Sequence, residues 1–346
     1  MATRSHEFWQ RFLRAEISSS RSDAILASIP EGPDEISALV QHPLLNERER
    51  FQANAPLDDR FHQARERGID IATAPDLPIS LAEVAPALYY WGDMSVIHRP
   101  TVGIVGTRRA GTYGKACAAK FAEALARAGA TVISGGALGV DGAAHEGAMR
   151  AGGKTVAVLA TGVDTVYPAV HAGLFDRIKE NGALVSQYAI GSRADEFKFL
   201  ARNYLIAAMS QAVIVIEAPH KSGSLRTAHD AADLGKEVFV LPSTIDNPNY
   251  FGSFRLIEDG ATMLYRPEQV IDFLGLTAKP SPHQPALTGM GELAEKILAA
   301  LPVEPISTEI LLSRLGLDPG PVLAELTLLE LDGKVIRDGN GYARLP

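Results

Sequence analysis

The stretch TVISGGALGVDGAAHEGA, residues 131–148, carries the clearest structural pattern in this chain. A short apolar run is followed by four glycines within eight residues and then by an alanine-rich segment. This order predicts a buried strand, a tight turn and a helix. Glycines at such a turn let a ligand approach the backbone, and the N-terminus of the next helix attracts anions. The stretch therefore predicts a strand–helix unit with room for a phosphate-bearing ligand.

The same alternation continues on both sides of this stretch. Apolar runs such as TVGIVG (101–106) and AVIVIEAP (212–219) alternate with helix-like segments from about residue 87 to residue 266. Nearly continuous apolar runs are typical of strands buried on both faces, and several of the helix-like segments end at a glycine. The pattern predicts an α/β fold with a doubly wound, mostly parallel sheet and helices on both faces.

Three other segments flank this core, which we place at residues 81–275. Residues 1–80 carry apolar positions at helical spacing and predict a small helical domain. Residues 276–291 are rich in Pro, Thr, Ser and Gly and predict a linker. Residues 292–346 show three helical patterns and then two strands around Asn340-Gly341, which predicts a winged-helix-like domain.

Composition narrows the class of protein. The 346 residues are 46% hydrophobic and 21% charged, which is typical of a globular protein of two or three domains. A formal net charge of −8 argues against broad neutralisation of duplex DNA, so any nucleic-acid contact is expected in a focused pocket. We find no secretory signal and no apolar run long enough for a bilayer, which predicts a cytoplasmic protein. The single cysteine, Cys117, is predicted to be a core residue.

Five consecutive predicted strand–helix loops carry glycines, hydroxyls or cations. Because the carboxyl ends of parallel strands lie at one edge of the sheet, we expect these loops to converge. Hydroxyls and guanidinium groups bind phosphate oxygens, and arginine does so through two parallel hydrogen bonds. The candidate donors are Thr107, Arg108, Ser134, Lys198, Arg202, Ser222, Ser224 and Thr227.

The sequence argues for binding over catalysis. Arg108 and Arg109 stand where a dinucleotide fold has its later glycines, and no acidic ribose ligand follows Ser134-Gly135, which disfavours NAD. No Walker A motif, zinc-ligand spacing or nucleophile elbow is present. Asp141 and His145 are more readily a structural pair than catalytic groups. We predict no catalytic residue, no cofactor and no metal.

Taken together, these motifs resemble the DNA-processing protein A family, also called DprA or Smf. The matching stretches, in order within residues 75–270, are VGIVGTRRAGTYG, VISGGALGVDGAAHEGAM, TVAVLATGVDTVYP, FLARNYLIAAMS, AVIVIEA, SGSLRTA and RLIEDGA. The resemblance implies a SAM-like helical domain, an extended Rossmann-like core and a winged helix. It also implies a protein without enzymatic activity that binds incoming single-stranded DNA during natural transformation, loads the RecA recombinase and forms a homodimer.

The resemblance also implies which residues bind DNA. Asp141 and His145 would shape the second loop, and Phe197 or Phe199 would stack on a base, an interaction worth ~1–3 kcal/mol. The implied DNA- and phosphate-binding residues are Gly106, Thr107, Arg108, Ser134, Gly135, Gly136, Lys198, Arg202, Asn203, Ser222, Gly223, Ser224 and Thr227.

The chain departs from the family pattern at four positions. Leu138 and Tyr204 replace two usual arginines, His171 replaces a usual asparagine, and Leu200 replaces a usual proline. Two family cations are therefore absent, which bears on the strength of DNA binding. The segment 291–346 carries nine acidic and five basic residues, so we expect its winged helix to have a protein-contact or regulatory role rather than to bind a major groove.

Two other functions remain open from the sequence. One is a Rossmann-type phosphoribohydrolase acting on nucleoside monophosphates, because Glu217 lies close to the Ser-Gly-Ser loop. The Pro-Gly-Gly-x-Gly-Thr signature of those enzymes is missing from EAPHKSGSLRTA. The other is an interaction scaffold whose pocket is vestigial, a hypothesis prompted by the two absent arginines.

Overall fold

The computed structural model describes residues 4–17, 19–56, 59–277, 291–331, 333–338 and 341–345. The chain begins with helices α1 (His6–Arg14), α2 (Ser19–Ser28), α3 (Glu35–Val40), α4 (Glu47–Asn54) and α5 (Arg60–Glu66). Helix α1 is capped by Ser5, whose side chain accepts a hydrogen bond from the Phe8 amide, a common N-cap. It buries Phe8 and Phe12 in a cluster that also contains Tyr89 and Phe175 of the core. The helical domain and the core therefore share a hydrophobic interior.

Within the described residues, nine strands form one sheet in the order β1-β2-β6-β5-β4-β3-β7-β8-β9. The strands are β1 (Ile69–Thr73), β2 (Ala87–Gly92), β3 (Thr101–Val105), β4 (Thr131–Ser134), β5 (Lys154–Val158), β6 (Gly182–Ser186), β7 (Ala212–Val215), β8 (Glu237–Val240) and β9 (Thr262–Met263). Pairing is parallel from β6 through to β9. The predicted doubly wound, mostly parallel α/β sheet is confirmed.

Helices cover both faces of this sheet. They are α6 (Ile79–Ala82), α7 (Thr112–Ala128), α8 (Val140–Arg150), α9 (Ala172–Asn181), α10 (Glu196–Met209), α11 (Gly223–Asp233), α12 (Phe251–Glu258) and α13 (Glu268–Phe273). Along β7, Ala212 and Ile214 join one hydrophobic cluster while Val213 and Val215 join another. Alternate side chains of a strand point to opposite faces, so the strand is buried on both sides, as its apolar run predicts.

One edge of the sheet differs from the sequence-based expectation. Strand β1 lies within residues 1–80, the range predicted to be helical, and it pairs antiparallel with β2. Strand β2 in turn pairs antiparallel with β6. The segment IDIAT (69–73) is short and immediately follows a helical pattern. Its strand conformation is stabilised by pairing with a strand from another part of the chain, which local periodicity does not reveal.

The opening stretch folds as predicted into β4, a turn and α8. Gly136 and Gly139 have φ angles of +66° and +80°, a region that L-residues with side chains rarely adopt. A Cβ at Gly139 would also collide with the carbonyl oxygens of Thr107 and Arg108. The turn therefore packs directly against the loop after β3. Because β3 lies between β4 and β7, the strand order reverses at this point of the sheet.

A separate C-terminal unit follows. It comprises helices α14 (Glu292–Ala300), α15 (Thr308–Leu315) and α16 (Pro319–Leu331), and strands β10 (Ile306–Ser307), β11 (Val335–Asp338) and β12 (Gly341–Arg344). The strands pair in the order β10-β12-β11, and the unit has its own hydrophobic cluster. This is the predicted winged helix with one additional short strand. Asn340 and linker residues 278–290 lie outside the described residues. No helix in the described ranges has the length and apolarity to cross a membrane.

Candidate functional site

An open cavity of about 750 Å³ lies at the carboxyl ends of β3, β4 and β7. It occupies the point where the strand order reverses, which is where parallel α/β sheets bind ligands. Several predicted loops converge here. The predicted residues that line the cavity are Gly106, Thr107, Arg108, Asp141, Phe199, Arg202, Asn203, Ser222, Gly223, Ser224 and Thr227.

The loop after β3 supplies exposed cations. Arg108 and Arg109 both line the cavity and are exposed. The guanidinium carbon of Arg108 lies 4.6 Å from the centre of the Phe199 ring. Among the described residues, no carboxylate forms an ion pair with Arg108. Its charge is therefore available to an anionic ligand while cation–π contact with Phe199 orients it.

Arg202, in contrast, is buried and stabilises the backbone that surrounds the cavity. Its Nη1 donates hydrogen bonds to the carbonyl oxygens of Gly135, at 2.5 Å, and Val158, at 3.0 Å. Asp141 lies nearby and accepts hydrogen bonds from the Gly135 amide, at 3.2 Å, and the Ala137 amide, at 3.4 Å. Burial raises the pKa of the Asp141 carboxyl, and the Arg202 charge opposes that rise. The two side chains thus fix the turn after β4 from both sides.

The N-terminus of α11 forms a second part of the cavity wall. Ser222 is its N-cap and accepts a hydrogen bond from the Ser224 amide at 3.3 Å. The Nδ2 of Asn203 donates to the carbonyl oxygen of Gly223 at 3.3 Å, which ties α10 to this loop. A helix N-terminus with hydroxyl groups beside it favours an anion such as phosphate.

A narrower apolar slot adjoins the cavity. Phe199 and Tyr167 form one part of its wall, with ring centres 5.7 Å apart, and Leu138 is a further part. The slot and the cavity share Arg108 and Arg202. Cationic side chains and apolar surface therefore adjoin each other where the slot opens beside the cavity. This arrangement suits a ligand that carries both a phosphate and a planar ring.

Three predicted residues beside the cavity line neither it nor the slot, whereas Gly135 lines the slot. The Ser134 hydroxyl is buried and donates to the Ile104 carbonyl oxygen at 2.6 Å. The carbonyl oxygen of Gly136 accepts a hydrogen bond from His171 at 2.9 Å. His145 is fully buried against Thr155, and burial lowers its pKa to about 3, so its ring is neutral at neutral pH. These residues stabilise the turn before α8 and the packing of α8 against β5.

Lys198 and Phe197 face a different cavity. This second cavity, of about 480 Å³, lies between the N-terminal helices and the other face of α10. The Nζ of Lys198 lies 3.5 Å from a carboxylate oxygen of Glu16 and donates a hydrogen bond to Ser192. Phe197 is 79% exposed at the rim. The structure thus separates these two side chains from the residues around Arg108.

Several residues that line the first cavity were not predicted from the sequence. Lys221 and Arg109 add exposed positive charge, and Tyr167 adds an aromatic ring. Asp195 and Glu196 add negative charge at the start of α10. Lys221 directly precedes Ser-Gly-Ser, and this adjacency is a signal that could have identified it. No group of three or more His, Cys, Asp or Glu side chains within the described ranges could hold a metal ion.

Known proteins resemble this chain along most of its length. A family model described as DNA recombination-mediator protein A matches residues 72–275, and a DprA winged helix domain matches residues 278–341. Protein Smf of Escherichia coli strain K12 is 33% identical, covering 78% of this chain and 75% of that protein. The DNA processing protein DprA of Bacillus subtilis strain 168 is 32% identical, covering 76% and 89%.

Two solved structures agree with this assignment. DNA processing protein A from Streptococcus pneumoniae superposes with a TM-score of 0.67 at 27% identity, covering 78% of this chain and 98% of that one. The protein from Helicobacter pylori, solved to describe its single-stranded DNA binding mode, superposes with a TM-score of 0.54 at 33% identity, covering 59% and 95%. The two family models, the curated relatives and the two solved structures agree, and this chain belongs to the DNA recombination-mediator protein A family, which includes DprA and Smf.

Proposed function

We propose that this protein binds single-stranded DNA in the cavity between Arg108 and the N-terminus of α11. The observation that carries the proposal is the junction of exposed cations with the apolar slot at Phe199. Phosphate groups would contact Arg108, Arg109 and Lys221, while an unpaired base would stack in the slot. Stacking on aromatic rings combined with cationic contact to the backbone is the usual basis of single-strand binding.

The decisive test is a titration of labelled oligo-dT at several salt concentrations, followed by fluorescence anisotropy. Three exposed cations line the cavity, namely Arg108, Arg109 and Lys221. Each phosphate neutralised on a single strand contributes about −0.7 to the slope of log K against log salt concentration, so we expect a slope of about −2 per cavity. Absence of binding, or binding insensitive to salt, would contradict the proposal.

The geometry does not favour a phosphoribohydrolase. Glu217, the residue that would serve as its acid or base, is 2% exposed and does not line the cavity. Its carboxylate accepts hydrogen bonds from the Gly111 amide and from Asn249 instead. We therefore propose a binding protein rather than an enzyme. Release of adenine on incubation with AMP is the measurement that would reverse this conclusion.

Membership of the family supports a proposal about the partners of this protein. We propose that the protein protects incoming single strands during natural transformation, passes them to a RecA recombinase and works as a homodimer. The winged helix is proposed to contact protein, because its third helix contains Glu325 and Glu330 and no lysine or arginine. Sedimentation of the purified chain with and without RecA and oligo-dT would detect both associations.

Removing the negative charge of Glu196 is expected to strengthen binding. Glu196 is exposed and lines the cavity, where its charge repels phosphate. A change to glutamine should raise the affinity for oligo-dT by about two- to fivefold at low salt, the effect expected of one screened surface charge. The matched control is Glu180→Gln, an exposed glutamate near the end of α9. An equal gain in both variants would indicate a general charge effect instead.

A further inference from the structure

We propose that Glu217 is a positioning residue that holds the Arg108 loop, residues 106–111, in the conformation that binds a single strand. Glu217 does not line the cavity. It would act on DNA binding indirectly, by fixing the loop backbone on both sides of the exposed Arg108 and Arg109. The inference rests on the proposed function, since it explains how the strand-binding groups are held in place.

The loop is bound to Glu217 at two points. The backbone oxygen of Glu217 accepts a hydrogen bond from the Thr107 amide at 2.7 Å. The two carboxylate oxygens of Glu217 lie 3.2 and 3.3 Å from the Gly111 amide nitrogen, which donates to them. Arg108 and Arg109 lie between these two points. One residue at the end of β7 thus fixes both ends of a loop that follows β3.

The carboxylate is itself held rigidly. Asn249 Nδ2 donates a hydrogen bond of 2.7 Å to Oε1 of Glu217. Burial raises the pKa of Glu217, and the hydrogen bonds from Gly111 and Asn249 oppose this rise. A Cβ at position 114 would overlap the Glu217 carboxylate, so Gly114 on the first turn of α7 provides the space that this side chain occupies.

The same contact determines which helix end is open to a ligand. In parallel α/β folds the N-terminus of the helix after a strand commonly binds phosphate. At α7 the carboxylate of Glu217 already occupies that position, because it accepts the Gly111 amide hydrogen. At α11 the N-terminal residues Gly223 and Ser224 line the cavity. Glu217 therefore leaves the α11 end and the arginines as the phosphate-binding groups.

The first test compares Glu217→Ala with Glu217→Gln in binding to oligo-dT. The alanine variant releases one end of the loop, and because an unconstrained loop must be ordered on binding, we expect at least about a tenfold loss of affinity. The glutamine variant should stay within about twofold of wild type, because its amide oxygen accepts from Gly111 and Asn249 can turn its own amide to accept from the new donor. Equal losses in both variants would overturn the inference.

A double-mutant cycle with Gly114→Ala sharpens this test. The added methyl group should displace the Glu217 carboxylate from Gly111, so this single variant should also lose about tenfold in affinity if the contact matters. When residue 217 is alanine, no carboxylate is present for the methyl group to displace. The double variant Gly114→Ala/Glu217→Ala should therefore bind no more weakly than Glu217→Ala. Additive losses would contradict the inference.

Two further measurements separate a positioning effect from other causes. Val213→Ala, in the strand that leads to Glu217, lowers stability without touching the loop and should retain oligo-dT affinity. Hydrogen exchange of the Gly111 amide should accelerate at least about tenfold in Glu217→Ala and not in Val213→Ala. Wild-type protein that does not bind oligo-dT would overturn the proposed function. The Gly111 exchange rate would then decide the role of Glu217 in the loop on its own, and an unchanged rate would overturn that role.

Discussion

Replacing Arg108 with alanine is expected to weaken the binding of oligo-dT by about 10- to 100-fold, the range expected for one charge-assisted hydrogen bond. Arg108 is exposed, lines both the cavity and the slot, and is oriented by the Phe199 ring. Its loss should also reduce the salt slope by about one phosphate contact. Fluorescence anisotropy at several salt concentrations measures both quantities.

The matched control for this prediction is Arg99→Ala. Arg99 is an exposed arginine that precedes β3, at the opposite edge of the sheet, and it lines a different cavity. Both substitutions remove one positive charge, but only the first removes it from the proposed binding surface. Arg108→Ala protein that binds as tightly as Arg99→Ala protein would show that the strand binds elsewhere.

Replacing Arg202 with methionine is expected to destabilise the protein strongly. The change leaves the buried Asp141 without its neighbouring cation and removes the donor to the Gly135 and Val158 carbonyl oxygens. The loss of two buried hydrogen bonds from a charged donor, together with a nearby opposite charge, is expected to cost about 3–5 kcal/mol of unfolding free energy. Urea unfolding followed by circular dichroism, under conditions where the transition is two-state, measures this loss.

Asp141→Asn in the Arg202→Met background provides the control. Without its charge, residue 141 no longer needs a cationic neighbour, while its side-chain oxygen still accepts from a backbone amide. The double variant should recover about 1–2 kcal/mol relative to Arg202→Met. If Arg202→Met unfolds at the same urea concentration as wild type, the Arg202 guanidinium does not stabilise the fold.

Much of the core was predictable from the chain alone, for reasons visible in single elements. The strand in TVISGG is buried on both faces, as parallel strands usually are. Its nearly continuous apolar run therefore identifies it without any knowledge of its partner strands. The glycines of the following turn mark a backbone conformation that other residues rarely adopt, as at Gly136. Loops that follow parallel strands then converge by topology, which is why Arg108, Asp141 and Ser222 were expected together and lie together.

Side-chain direction was not predictable in the same way. Lys198 precedes Arg202 by one helical turn, which places the two side chains on neighbouring parts of α10. The carboxylate of Glu16, from a segment 182 residues earlier in the chain, draws Lys198 toward the other cavity. A helical pattern records spacing along one element and contains no information on charges supplied by a distant segment. Strand β1 was not predicted for the same reason, because it is stabilised by pairing with β2, a separate segment of the chain.

Helix α10 is anchored on two sides by these contacts, with Arg202 bonded to the turn after β4 and Lys198 bound to Glu16 of the N-terminal domain. Neither rotation about its axis nor sliding along it can occur without breaking one of these attachments. A ligand that enters the proposed binding cavity is therefore expected to be accommodated by rotamer changes of exposed side chains at its rim. Such changes take nanoseconds, whereas displacement of a helix takes microseconds.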